Sequence, residues 1–212
     1  TVTKGMKKVI DDALDFSVKQ SMSMFYEMKD QKGILPRTAE NGKMITCESA
    51  WWTSGFYPGT LWYCYEYSND PQIRAAAEEM TSRVEKQKYT TSNHDVGFII
   101  NCSFGNGYRL THNETYRKVI ETAAKSLSTR FHPVTGCTRS WNSKKWQFSV
   151  IIDNMMNLEL LNVASSLTGD NTYYNMAKSH ADRTMINHFR PDGSSYPVSY
   201  THLRAHETRG NL

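Results

Sequence analysis

Two aspartates and a tryptophan, Asp95, Asp153 and Trp52, fall at corresponding places in a repeated unit. The unit is aligned by three short polar stops, each followed by a helix start: Asp70-Pro-Gln-Ile73, Asn113-Glu-Thr-Tyr116 and Asp170-Asn-Thr-Tyr173. Trp52 lies 18 residues before Asp70, Asp95 lies 18 before Asn113, and Asp153 lies 17 before Asp170. Apolar helical stretches fill all three intervals, so the three side chains should enter one rim. Two converging carboxylates beside an aromatic wall can handle a sugar: a ring face stacks, and a carboxyl pair can trade a proton.

A helix cap is the plainer account of each acid, since Asp at a helix start accepts backbone N–H groups. Asp95, in Asn93-His-Asp-Val-Gly-Phe98, fits a cap well when taken alone. Asp153 sits in Val150-Ile-Ile-Asp-Asn-Met-Met-Asn-Leu158, where an unpaired carboxylate is costly. Burial raises its pKa and a helix N-terminus lowers it. A carboxyl held protonated can act as a general acid near neutral pH. Singly, Asp153 is balanced between cap and catalyst; in register with Asp95, catalysis is the better account. Trp52 could be core, but paired Trp beside Gly55 and Gly59 could also expose a ring face. Trp141 and Trp146 lie on a loop before Asp153, and one of them is expected to line the site. His94, adjacent to Asp95, is a candidate donor to a carboxylate substrate. The other native histidines show no ligand spacing and there is no Gly-rich phosphate loop, so neither metal nor cofactor is expected.

These residues must be held by helices. Apolar periodicity marks residues 5–29, with Met6, Val9, Ile10, Leu14, Phe16, Val18, Met22 and Met24 recurring, and 33–47 reads as a polar loop. Then come an apolar segment at 51–67 and an amphipathic partner at 70–88. The pattern repeats as 96–110 with 115–130, and as 150–167 with 172–189, the latter pair preceded by a long loop at 131–148. Alternating all-apolar and amphipathic helices predict an all-α chain, a solenoid or a closed α/α toroid; the long loop favours a ring with a worked rim.

At 212 residues and a formal charge of +4, with Lys and Arg scattered, nucleic acid is a poor partner and no stretch approaches a membrane span. Cys47, Cys64, Cys102 and Cys137 have no metal-finger spacing and read as free thiols. The compartment is unreadable; a bacterial periplasm and a cytoplasm are both compatible. Residues 198–208 resemble a conceptual translation of a transposon-type sequencing adapter, so 198–212 is expected to be a non-native tail. His202 and His206 are set aside with it.

The motif set resembles glycoside hydrolase family 88, the unsaturated glucuronyl hydrolases. It comprises Trp52-Thr-Ser-Gly-Phe56, Asn93-His-Asp-Val-Gly-Phe98, Arg139-Ser-Trp141 ahead of Ile151-Ile-Asp-Asn154, and Arg190-Pro-Asp-Gly-Ser-Ser-Tyr196. The resemblance implies an (α/α)6 barrel, of which residues 1–197 would supply roughly the first half. It implies Asp153 as general acid/base, Asp95 as the second essential acid, and Trp52, His94, Trp141 and Asn154 as substrate contacts. The implied substrate is an oligosaccharide ending in a 4,5-unsaturated uronic acid left by a lyase, removed by hydration of its vinyl ether. The pattern also expects a substrate-contacting His where Pro197 stands. The 212-residue chain is therefore expected to be inactive and poorly stable, an open half-ring leaving an apolar flank unburied. Two competing readings are an unsaturated rhamnogalacturonyl hydrolase, disfavoured by the His94-Asp95 pair, and a non-catalytic sugar-binding toroid. Oligomeric state stays open.

Overall fold

In the computed structural model, residues 2–200 and 204–205 are described. Helix α1 (Lys4–Met28) leads into a β-hairpin of β1 (Ile34–Glu40) and β2 (Lys43–Glu48). Next come α2 (Phe56–Ser68), α3 (Pro71–Ser82) and a 3-10 turn, Glu85–Tyr89. A second inner helix is built from α4 (Val96–Ile100), a π-helical segment (Asn101–Gly105) and α5 (Asn106–Thr111); α6 (Glu114–Ser128) pairs with it. Short strands β3 (Phe131–His132), β4 (Cys137–Thr138) and β5 (Ser149–Ile151) precede α7 (Asn154–Asn157), α8 (Glu159–Thr168) and α9 (Asn171–His188).

The three predicted hinges share one geometry. Asn69, His112 and Gly169 each end a helix in the left-handed region, at φ 56°, 51° and 74°. Such a residue lets the chain reverse while its N–H still bonds the preceding helix. Asp70, Asn113 and Asp170 follow with extended backbones, and each side chain accepts the N–H two residues on, at 2.8, 2.9 and 2.8 Å. A cap of this kind stabilises a helix by about 1 kcal/mol.

Packing follows the pairs. Met28, Tyr57, Leu61, Trp62, Ala76, Ala77 and Met80 form one buried cluster across α1, α2 and α3, and Trp62 Nε1 donates to Thr81 Oγ1 at 2.9 Å. A second cluster runs through Ile99, Ile100, Phe104, Val119, Ile120, Leu127, Leu160 and Leu161. Gly55 and Gly59, beside Trp52, are close-approach points. A Cβ on Gly55 would lie 2.6 Å from Ile99 Cα, and one on Gly59 2.6 Å from the Cys102 carbonyl oxygen. Along α1, Met6, Val9, Ile10, Leu14 and Phe16 are exposed.

The segment 33–47, expected to be a polar loop, is an antiparallel hairpin pairing Ile34 with Glu48 and Glu40 with Lys43, with a bulge at Pro36–Thr38. Its two-residue turn, Asn41-Gly42, has φ 50° and 72°, as a type I′ turn requires, and Asn-Gly is the sequence signal for it. Helices also begin later than expected: α2 starts four residues after Trp52, and 149–151 is a strand. Within the expected non-native segment 198–212, β6 (Val198–Tyr200) pairs with β5, and β7 (Arg204–Ala205) with β6. The rest of that segment, with His202 and His206, lies outside the described residues.

Candidate active site

Asp95 and Asp153 occupy the positions just before α4 and α7, yet neither caps its helix. Both have helical backbones (φ −65°, ψ −12° and φ −70°, ψ −10°), and no side-chain cap hydrogen bond is made. With ψ near zero the carboxylate is turned away from its own helix amides and into the rim. The first N–H groups of α4 are satisfied elsewhere: Gly97 N–H donates to the His94 carbonyl, and Phe98 N–H to Asn157 Oδ1 at 2.7 Å.

His94 joins the two acids. Its Nε2 lies 3.4 Å from Asp95 Oδ1 and 3.9 Å from Asp153 Oδ1. The ring is 2% exposed, and burial, with the neighbouring Arg130 and His180, pushes its pKa down to about 3. The His94 ring is thus buried between the two carboxylates, where the charged imidazolium is disfavoured. Burial and the nearby Asp153 push Asp95 up to about 6, against the pull of Arg130. Burial also raises Asp153, whose Oδ1 is shielded from solvent and has no hydrogen-bond partner. Two acids this close to one imidazole titrate as a coupled pair, and burial with like-charge repulsion raises it above the usual carboxylate range.

The aromatic wall continues from His94. Trp141 lies 6.4 Å from the His94 ring, Phe98 6.5 Å on another side, and Trp52 6.0 Å from Phe98. Trp52 is 43% exposed and Trp141 37%, so both present ring surface to the rim rather than serving as core. Trp141 is held against 93–94 by a β-bridge to Asn93 and by the His94 N–H, which donates to the Ser140 carbonyl at 2.9 Å.

The structure thus brings Trp52, His94, Asp95, Trp141 and Asp153 to one rim. Asn154, expected as a substrate contact, lies elsewhere. It is fully buried, and its Nδ2 donates to the Thr138 carbonyl (2.8 Å) and Ser140 Oγ (3.1 Å), fastening the segment that leads to Trp141. Two site residues escaped the sequence reading. Asn157 stands one turn after Asp153, a polar break in an apolar run, and its Nδ2 reaches His94 Nδ1 at 3.3 Å. Arg130 resembles an ordinary basic helix end in the sequence. It is buried, donates to the carbonyls of Arg139 (2.8 Å) and Thr91 (2.7 Å), and burial lowers its pKa to about 10. No group of His, Cys, Asp or Glu among the described residues could hold a metal ion.

No family model matches the chain. It is 46% identical over 150 residues to an unsaturated glucuronyl hydrolase of Formosa agariphila, covering 69% of this chain and 38% of that protein. It is 33% identical over 198 residues to an unsaturated chondroitin disaccharide hydrolase of Streptococcus pyogenes, covering 90% and 49%. A solved unsaturated glucuronyl hydrolase specific for heparin superposes with a TM-score of 0.83 at 39% identity, over 92% of this chain and 53% of that one. The enzyme of Bacillus sp. GL1 gives 0.79 at 28%, over 96% and 54%. The α/α toroid of these neighbours is the fold of this chain. The chain spans between about a third and a half of the length of these curated relatives.

Proposed function

The chain belongs to the unsaturated glucuronyl hydrolases, glycoside hydrolase family 88, and from that premise we propose that its rim is the acid-pair portion of a site that hydrates a 4,5-unsaturated uronic acid. The substrate would be a lyase-generated oligosaccharide of the glycosaminoglycan type. The observation that carries this is the pair of non-capping aspartates sharing His94, beside two exposed tryptophans.

In this reading Asp153 gives a proton to C4 of the vinyl ether. Water adds at C5 and returns a proton to Asp153. The resulting hemiketal opens, releasing a keto-uronate and the shortened sugar, with one water consumed. Asp153 is the acid better placed to reach substrate, because its side chain is the more exposed, 40% against 23%, and Oδ1 is not tied up by a donor. Asp95, more enclosed, keeps the pair from ionising fully. Trp52 and Trp141 supply ring faces for stacking. Because bond cleavage follows hydration and not attack at the anomeric carbon, carboxylate spacing does not dictate retention or inversion.

The test is a chimera in which residues 1–196 replace the equivalent part of the Formosa agariphila relative. It is given unsaturated glycosaminoglycan disaccharides while absorbance of the double bond is followed. Turnover is expected, and Asp153→Asn should lower it about 10²–10⁴-fold, the usual worth of a positioned acid/base. Near-normal turnover by Asp153→Asn would remove the assignment. A non-catalytic sugar-binding toroid predicts binding of the disaccharide with no absorbance loss.

A further inference from the structure

Asn157 carries an instruction for His94. Its Oδ1 accepts Phe98 N–H at 2.7 Å, and a backbone amide can only donate. That contact fixes which way the side-chain amide faces: Oδ1 toward α4 and Nδ2 toward His94 Nδ1, 3.3 Å away. An NH2 group is a donor only, so Nδ1 must present its lone pair. A neutral imidazole then carries its one proton on Nε2. Nε2 is the atom that faces Asp95 and Asp153. The contact is built into the backbone: a Cβ on Gly97 would lie 2.6 Å from Asn157 Cα, so only glycine lets α4 and α7 approach this closely.

We propose that Asn157 is a positioning residue, holding His94 as the Nε2–H tautomer so that one N–H is aimed between the two carboxylates. The role assigned to that N–H rests on the hydration reading given above. At 3.4 and 3.9 Å the N–H is committed to neither acid by hydrogen-bond standards. It can settle on whichever carboxylate becomes charged when the proton leaves for substrate carbon, and release it when the proton returns. An aspartate at 157 would do the opposite. Its second oxygen would accept a proton from Nδ1, and a neutral ring would then turn an Nε2 lone pair toward two acids. The charged groups facing the ring are Asp95, Asp153 and Arg130, with His180 also near.

The test is 15N NMR of the 212-residue chain labelled at histidine, with the His94 signals identified by their loss in His94→Gln. From pH 5 to 8 the wild-type chain should show His94 Nδ1 unprotonated and Nε2 protonated. Nδ1 carrying a proton, alone or in an imidazolium, overturns the proposal without any variant. Asn157→Asp should add a proton at Nδ1, giving an imidazolium at neutral pH, while the milder Asn157→Ser should give a mixture of tautomers. A folded Asn157→Asp or Asn157→Ser chain with His94 unchanged also overturns it, since a purely structural asparagine predicts that result. No substrate enters these spectra. Failure here leaves the hydrolase reading standing, and failure of the double-bond assay leaves the tautomer standing.

Discussion

The two ends of the same helical hairpins use the same residue types for opposite purposes. At the hinge end, Asp70, Asn113 and Asp170 have ψ between 103° and 122°, and each side chain accepts an N–H of its own helix. Asp170 is held below the usual carboxylate range by its bonds from Thr172. At the rim end, Asp95 and Asp153 have ψ near −10° and make no cap bond, and burial pushes both above that range. A rotation of roughly a third of a turn in one backbone angle separates an acid that stabilises a helix from an acid free for chemistry. The stability forgone at the rim is recovered through other donors and acceptors, above all Asn157, which caps α4 from a neighbouring helix.

Gly97→Ala should act most strongly, forcing α4 away from Asn157 and destabilising the chain by about 3 kcal/mol, the upper range for overpacking; denaturant melts would show it. A loss under about 0.5 kcal/mol would mean that the close approach does not hold the rim. At the hinges, Asp170→Ala should cost about 1 kcal/mol in the same melts and leave turnover of the chimera unchanged. Asp95→Ala should cost no cap energy at all, and a loss matching that of Asp170→Ala would make Asp95 an ordinary cap.

The smallest effect is pH dependence. Asp95 binds its proton more tightly when folded, so its contribution to stability falls as pH rises from about 4 to about 6. His94 works the other way: held neutral by burial, it contributes stability that is lost as pH falls from about 6.5 to about 3. The windows overlap, so the difference between wild type and Asp95→Asn isolates the first. That difference should grow in favour of Asp95→Asn across pH 4 to 6 and then level off. A flat difference would place Asp95 at an ordinary pKa.

Much of this was legible in the sequence. Hinges are local: a polar stop, an Asp or Asn, and a helical period suffice, and Asp70, Asn113 and Asp170 all cap as the spacing predicts. The rim register was legible for the same reason, since counting back from a fixed hinge places Trp52, Asp95 and Asp153. The hairpin at 34–48 is signalled in the sequence only by Asn41-Gly42, since β1 does not alternate cleanly between buried and exposed positions. The supports of the site were not readable. Asn157 meets Phe98 and His94 across 59 and 63 residues, and Arg130 reaches Thr91 across 39. Such contacts depend on how helix pairs stack, which no local pattern encodes. Asn154 shows the reverse error: a motif neighbour of Asp153 that the fold turns inward.

Rim acids, free of their helices, bind a proton more tightly than the hinge acid Asp170 does. Side-chain carboxyl 13C titration of Asp95, Asp153 and Asp170 in one sample tests this most directly. Asp95 should titrate near 6, Asp153 above the usual carboxylate range and Asp170 below it. Asp95 and Asp153 titrating at or below Asp170 would contradict it.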